Sequence, residues 1–159
     1  MKKFLMTIML VALVLVTGCT KIEEKGDYKE GTYFGSSKEF ESYGNKFVST
    51  ASVYVGADGK IKSVVIDSTY NKDGSNTTKK TLGDAYGMKS TSANIGVIQG
   101  GAEWYEQVNN LEAKIVQEQG LDWIEWTDEE ETKTDSVSGV TITVDTYYEA
   151  VMNALKQAK

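Results

Sequence analysis

Phe47-Val48-Ser49-Thr50-Ala51-Ser52-Val53-Tyr54-Val55, Gly56-Ala57-Asp58-Gly59-Lys60 and Ile61-Lys62-Ser63-Val64-Val65-Ile66 together form the stretch that decides the fold. Its two outer runs are rich in β-branched and aromatic residues, and the Asp58-Gly59 pair between them is a hairpin signal. Strict alternation places Phe47, Ala51, Val53 and Val55 on one face of the first strand, and Ile61 with Val65 on one face of its partner.

Upstream, Gly31-Thr32-Tyr33-Phe34-Gly35 reads as a first strand and Ser42-Tyr43-Gly44-Asn45 as a turn. Downstream, Asp67 to Asn76 reads as a plain loop. Its Thr69-x-Asn71-x-Asp73-Gly74 spacing fails as a calcium loop, because the first ligand position holds Thr69 and the bidentate-acid position falls on Lys80. Ala102 to Gln119 carries Trp104, Val108, Leu111 and Ile115 at helical spacing, with Gly120 as its stop. That stripe reads as core rather than as a cofactor wall. Asp128 to Glu131 reads as a solvated acidic loop.

A last helix is expected from Asp145 or Thr146, with Thr146-x-x-Glu149 at capping-box spacing. Tyr148, Val151, Met152 and Leu155 form its buried stripe, and Lys156 and Lys159 suit its C-terminal end. The order strand, hairpin, helix, loop, helix predicts an α+β fold, a small antiparallel sheet with helices packed on one face, in a single domain.

Residues 1–18 read as a signal peptide: Lys2 and Lys3 precede an apolar run too short to span a membrane comfortably. Val16-Thr17-Gly18-Cys19 resembles a bacterial lipobox, which implies lipidation of Cys19 and retention on the outer face of the cytoplasmic membrane. Cys19 is the only cysteine, so no intrachain disulfide can form. Residues 19–30 then serve as lipidated cysteine and polar tether, and residues 31–159 as the folded domain.

Loss of the 18-residue leader leaves 141 of the 159 residues, enough for one sizeable core. It also removes Lys2 and Lys3, leaving 15 of the 17 basic residues against 23 acidic ones, a net charge of −8. That balance argues against nucleic acid as a partner. With no histidine in the chain, the usual general base and imidazole metal ligand are missing. Whatever chemistry occurs here is expected to belong to a cofactor, and no metal site is expected.

Asp135-Ser136-Val137-Ser138-Gly139-Val140-Thr141, followed by Ile142, Thr143 and the last helix, is the functional candidate. Ser138 and Gly139 are small and turn-permissive, which leaves the Thr141 hydroxyl open to a modifying enzyme. A helix N-terminus just beyond favours a phosphate.

These residues resemble the acceptor motif of the FMN-binding domain family, Asp-x-x-Ser/Thr-Gly-Ala-Thr, with Val140 where the family prefers alanine. The family includes a flavin-bearing component of the sodium-pumping NADH:quinone reductase and flavin-carrying lipoproteins of extracellular electron transfer. The opening Gly-Thr-Tyr and hairpin, and Leu82-Gly83-Asp84-Ala85-Tyr86-Gly87-Met88, are similar to segments of those lipoproteins. The resemblance implies FMN esterified through its phosphate to Thr141 by a separate flavin transferase, with Asp135, Ser138 and Gly139 at the other fixed positions. Thr143 is the rival acceptor, or else caps the helix or contacts the phosphate. Tyr86 and Met88 are candidates either to pack against the isoalloxazine ring or to fill the core under a loop, and Trp123 and Trp126, close in sequence to the acceptor loop, are placed ahead of Trp104 as ring contacts but behind their own reading as core or domain-edge packing.

The implied protein is a redox carrier rather than a complete enzyme. It would take electrons from a membrane dehydrogenase or quinone pool and pass them to soluble or extracellular acceptors. The competing expectation is a surface lipoprotein that binds a ligand or another protein without redox chemistry.

Overall fold

A computed structural model describes residues 25–42, 44–72 and 74–159. The expected signal peptide, Cys19 and the start of the expected tether lie outside the described residues.

The chain is α+β. Strands β1 (Gly31–Ser36), β4 (Ser49–Val55), β5 (Ile61–Lys72) and β6 (Ser75–Thr78) form a four-stranded antiparallel sheet in the order β1-β4-β5-β6. Strands β2 (Phe40–Ser42) and β3 (Asn45–Phe47) make a separate two-stranded hairpin. Short helices α1 (Lys79–Leu82) and α2 (Lys89–Ile95) flank a 3-10 turn at Gly83–Tyr86. The long helices α3 (Trp104–Glu118) and α4 (Asp145–Leu155) cover one face of the sheet. Helix α4 lies so close to β1 that a Cβ on Gly35 would stand 2.1 Å from the Ala150 carbonyl oxygen, so no larger residue fits there.

The central hairpin forms as its β-branched runs and Asp58-Gly59 turn require, with Ala51 opposite Ile66 and Val53 opposite Val64. Its alternation departs from expectation at one point. Tyr54 pairs with Ser63 and Val55 with Ile61, which leaves Lys62 as an extra residue in β5. A bulge of one residue exchanges the faces of everything beyond it. Val64 and Ile66 therefore join Ile61 in the core, while Val65 is turned outward and is 49% exposed. The run from Phe47 to Val55 is also interrupted: Val48 breaks it into β3 and β4, its N–H donating to Thr69 Oγ1 at 2.8 Å.

Asp67 to Asn76 is not a plain loop. Most of it extends β5 and turns at Gly74 into β6, pairing Thr69 with Thr78 and Asn71 with Asn76. Alternating Thr, Tyr and Asn side chains suit a solvated two-stranded ribbon, a pattern that polarity alone disguises as loop.

Helix α3 buries Trp104, Val108, Leu111 and Ile115 as its periodicity predicts. It ends at Gln119 in the left-handed region (φ 60°) rather than at Gly120. The Gln119 amide offsets that conformational cost by accepting from Ile61 N–H (2.8 Å) and donating to the Ile61 and Val116 carbonyls (3.0 and 2.6 Å), closing the open edge of β5.

Helix α4 starts at Asp145, but its N-cap is Val144 with no side-chain cap, so the Thr146/Glu149 capping box does not form. Thr146 Oγ1 instead accepts from Ser49 Oγ at 2.9 Å, and Glu149 accepts from Lys38 N–H. The buried stripe of α4 is Tyr147, Ala150, Val151, Ala154 and Leu155, with Tyr148 and Met152 half-buried beside it. The segment expected as tether is hydrogen-bonded from Gly26 onward: Gly26 N–H donates to Asp58 O, Tyr28 to Gly59 O and Lys29 to Ala158 O. Among the described residues no helix is long and apolar enough to cross a membrane.

Candidate functional site

The loop from Asp135 to Thr141 is held at both ends. Thr134 is bridged to Trp126, and its hydroxyl donates to Glu125 O at 2.7 Å while receiving the Ser136 N–H. Val137 and Val140 are buried in the core, and between them Ser138 is exposed. Gly139 sits at φ 77°, and a Cβ there would lie 2.8 Å from Asn110 Nδ2, so both backbone and space select glycine. Val140 buries its branched side chain in the core rather than leaving it beside the Thr141 hydroxyl. Asp135 is exposed.

Thr141 is half-buried and directed inward. Its N–H donates to Gln107 Oε1 at 2.8 Å and its hydroxyl donates to the same oxygen at 3.1 Å. Gln107 is fully buried on α3, with its Nε2 3.5 Å from Ala102 O. One buried amide thus sets both the backbone and the side chain of Thr141.

Immediately beyond Thr141 the chain becomes the wall of a cleft of about 430 Å³. Ile142, Thr143, Asp145, Thr146 and Tyr147 form one side, and Phe40, Glu41, Ser42 and Phe47 of the β2–β3 hairpin another. Lys79, Tyr86, Met88, Trp104 and Thr132 complete it. Its aromatic residues form a continuous ladder. Phe40 stacks on Phe47 at 5.4 Å, and Phe47 reaches Tyr86 through Tyr70. Tyr86 then meets Trp104 edge-on at 6.5 Å, and Trp104 meets Tyr147 at 5.8 Å. Trp104 Nε1–H donates to Tyr147 Oη at 2.9 Å, which satisfies the polar ends of two buried rings.

Glu103 fixes the Met88 side of the cleft by accepting the Met88 and Lys89 N–H groups at 2.8 and 3.1 Å. Burial pushes the Tyr147 phenol up and, more weakly opposed by backbone hydrogen bonds, the Asp145 carboxyl up. Asp145 in the first turn of α4 also counters the positive end of the helix dipole. The Lys79 ammonium is pushed down to about 8 by desolvation, with Asp67 acting in the opposite direction.

Of the residues singled out from sequence, Thr143, Tyr86 and Met88 line the cleft. Thr141 abuts its wall but faces Gln107, while Asp135, Ser138 and Gly139 shape the loop outside it. Trp123 and Trp126 lie away from the cleft: Trp123 Nε1 donates to Gly120 O under Lys114, and Trp126 packs on Tyr148. Trp104 is both core and cleft wall, so the choice between those two readings does not arise.

Gln107, Lys79, Phe40, Phe47 and Tyr147 were not marked by any motif. The one available signal was Gln107, a polar residue three positions after Trp104 on the apolar stripe of α3. No protein-family model, curated protein or solved structure matches this chain.

Proposed function

We propose that this protein is a membrane-anchored flavoprotein electron carrier, with FMN joined to Thr141 through a phosphoester. The observation that carries this reading is the adjacency of a constrained acceptor-motif threonine to an aromatic cleft whose wall begins at the next residue. The cleft volume of about 430 Å³ falls in the range of small-molecule sites, and its lining of stacked rings with a few polar groups suits a planar aromatic ligand. Phe47, Tyr86, Met88, Trp104 and Tyr147 are the residues that would hold the ring, and Thr143 is the hydroxyl nearest in sequence to the ester. Bound flavin would supply the electron transfer.

Attachment from a flavin adenine dinucleotide donor forms the Thr141 Oγ–P bond as the hydroxyl proton is lost and the pyrophosphate P–O bond breaks, with AMP as the leaving group. The Gln107 amide oxygen can orient that hydroxyl but is not a base, so the base belongs to the flavin transferase. The hydroxyl must also leave Gln107, whose oxygen keeps the Thr141 N–H in the modified protein. Lipidation of Cys19 would hold the carrier at the outer face of the cytoplasmic membrane, and a tether ending near Gly26 would let it move between a membrane dehydrogenase or quinone pool and soluble or extracellular acceptors. Covalent attachment suits such a place, where a dissociable cofactor is lost to dilution.

Coexpression with a flavin transferase and peptide mapping tests the assignment. Flavin retained on denaturation in the wild type, lost in Thr141→Ala and kept in Thr143→Ala and Ser138→Ala is the expected result; full loading of Thr141→Ala rejects it. The inward hydrogen bond of Thr141 favours a second reading, in which the motif is structural and the cleft of a non-redox surface lipoprotein holds a dissociable ligand. Protein from its native host that carries no covalent flavin would establish that alternative.

A further inference from the structure

Among the described residues, the ammonium that lines the cleft has no ionic partner. Lys79, the first residue of α1, is 8% exposed, and its Nζ lies 4.9 Å from the ring centroid of Phe47, 5.3 Å from Tyr86 and 5.5 Å from Trp104. It takes part in no salt bridge among those residues. Its neighbour Lys80 shows the ordinary solution, pairing with Glu112 on α3 and donating to Ile66 O.

Three ring faces recover part of the lost hydration of an ammonium, but a largely desolvated charge without an ion pair still costs more than a neutral side chain of the same length. Asp67 of β5, whose carboxylate accepts from Ser68 N–H and Lys80 N–H, acts on Lys79 through space. Glu41 of β2 and Asp145 of α4 are the other charged residues lining the cleft. Phe47, Tyr86 and Trp104 line it too, so the cation sits among the surfaces available to a ligand.

We propose that Lys79 is the residue that sets the electrostatic preference of the cleft, favouring an aromatic ligand in its more negatively charged state and thereby raising the midpoint potential of flavin held there. The second half rests on the flavin reading above. Taking up two electrons from a reductant and one proton from solvent adds one negative charge to the flavin, and a fixed ammonium stabilises that charge more in a cleft than in water. A neutral residue at this position would leave the aromatic surface with only the Glu41 and Asp145 carboxylates charged, and so remove the preference.

The test uses the full-length lipoprotein, flavinylated by coexpression and solubilised in detergent, as wild type, Lys79→Met, Lys79→Arg and Lys80→Met. Covalent flavin is counted by absorbance after denaturation, and the flavin-bearing fraction of each is isolated and titrated anaerobically with dithionite against a reference dye. Lys79→Met is expected to show a tenfold lower ratio of reduced to oxidised flavin at equal poise, about 30 mV for a two-electron couple. Lys79→Arg should restore most of that ratio, and Lys80→Met, which removes the same charge outside the cleft, should leave it unchanged. An unaltered potential in fully loaded Lys79→Met overturns the inference and leaves the flavin reading standing. An equal drop in Lys80→Met assigns the effect to net charge and overturns the role of Lys79. A wild type without covalent flavin rejects the flavin reading and the inference with it.

Discussion

Gln107 Oε1 accepts two hydrogen bonds from Thr141, one from its N–H at 2.8 Å and one from its hydroxyl at 3.1 Å. A side chain on α3 thereby dictates where a loop residue 34 positions later can sit.

Removing either end of this link has unequal consequences. Thr141→Val deletes only the hydroxyl donor and should cost about 1 kcal/mol, while Gln107→Leu also strands a backbone N–H and should cost about 2–3 kcal/mol. Urea unfolding of the two single variants and the double variant checks the order. The double variant should cost no more than Gln107→Leu alone, because the shared acceptor is already gone.

Gly139 supplies a second test of the loop. Its φ of 77° and the 2.8 Å approach of Asn110 Nδ2 to a built Cβ predict that Gly139→Ala lowers stability by about 1–2 kcal/mol. Gly139→Asn should cost less in backbone conformation because asparagine tolerates this region. A midpoint shift in urea at constant slope measures both.

Lys79 makes stability depend on pH in a defined direction. Its ammonium ionises at about 8 in the fold against 10.5 in the unfolded chain, so between those values the unfolded chain holds more protons. Stability contributed by this residue therefore rises with pH through that window, by up to roughly 3 kcal/mol. Below pH 8 the penalty is fully present, and there Lys79→Met should be the more stable protein. The gap should close as pH climbs to 10.5. Guanidinium unfolding of both proteins from pH 7 to 10.5 measures it, the variant cancelling the tyrosine titrations common to both.

The bulge at Lys62 predicts opposite sensitivities at adjacent positions. Ile66→Ala should cost about 2–5 kcal/mol by opening a cavity under α3 and α4. Val65→Thr, on the outer face, should stay within about 0.5 kcal/mol. Thermal unfolding distinguishes them, and a larger loss for Val65→Thr than for Ile66→Ala would mean that β5 keeps the uninterrupted alternation of its sequence.

The elements themselves were legible wherever one period dominated. The Val53/Val55 run, the Asp58-Gly59 turn and the Trp104–Val108–Leu111–Ile115 stripe form as read, whereas the Ile61 run forms its strand but turns Val65 outward. The polar ribbon from Asp67 to Thr78 was not legible as strand, because its pairing depends on β5 being anchored by the core at Ile61 to Ile66. A β-bulge likewise leaves no mark in a single strand, since it is a property of two strands in register.

The site divides along the same line. The loop bearing Asp135, Ser138, Gly139 and Thr141, and the Tyr86-Gly87-Met88 segment, could be picked out because short-range turn chemistry and motif spacing are written in consecutive residues. The sequence by itself determined that small, turn-permissive residues precede Thr141, with glycine two positions before it. Only the tertiary structure decided that this hydroxyl points to Gln107. It alone made Trp104, rather than Trp123 or Trp126, the cleft tryptophan, and surrounded Lys79 with Phe47, Tyr86 and Trp104. Those relations join β3, α1, α3 and α4 across long sequence separations, and they arise from how the helices and the β2–β3 hairpin close on the sheet, a packing outcome to which no local pattern corresponds.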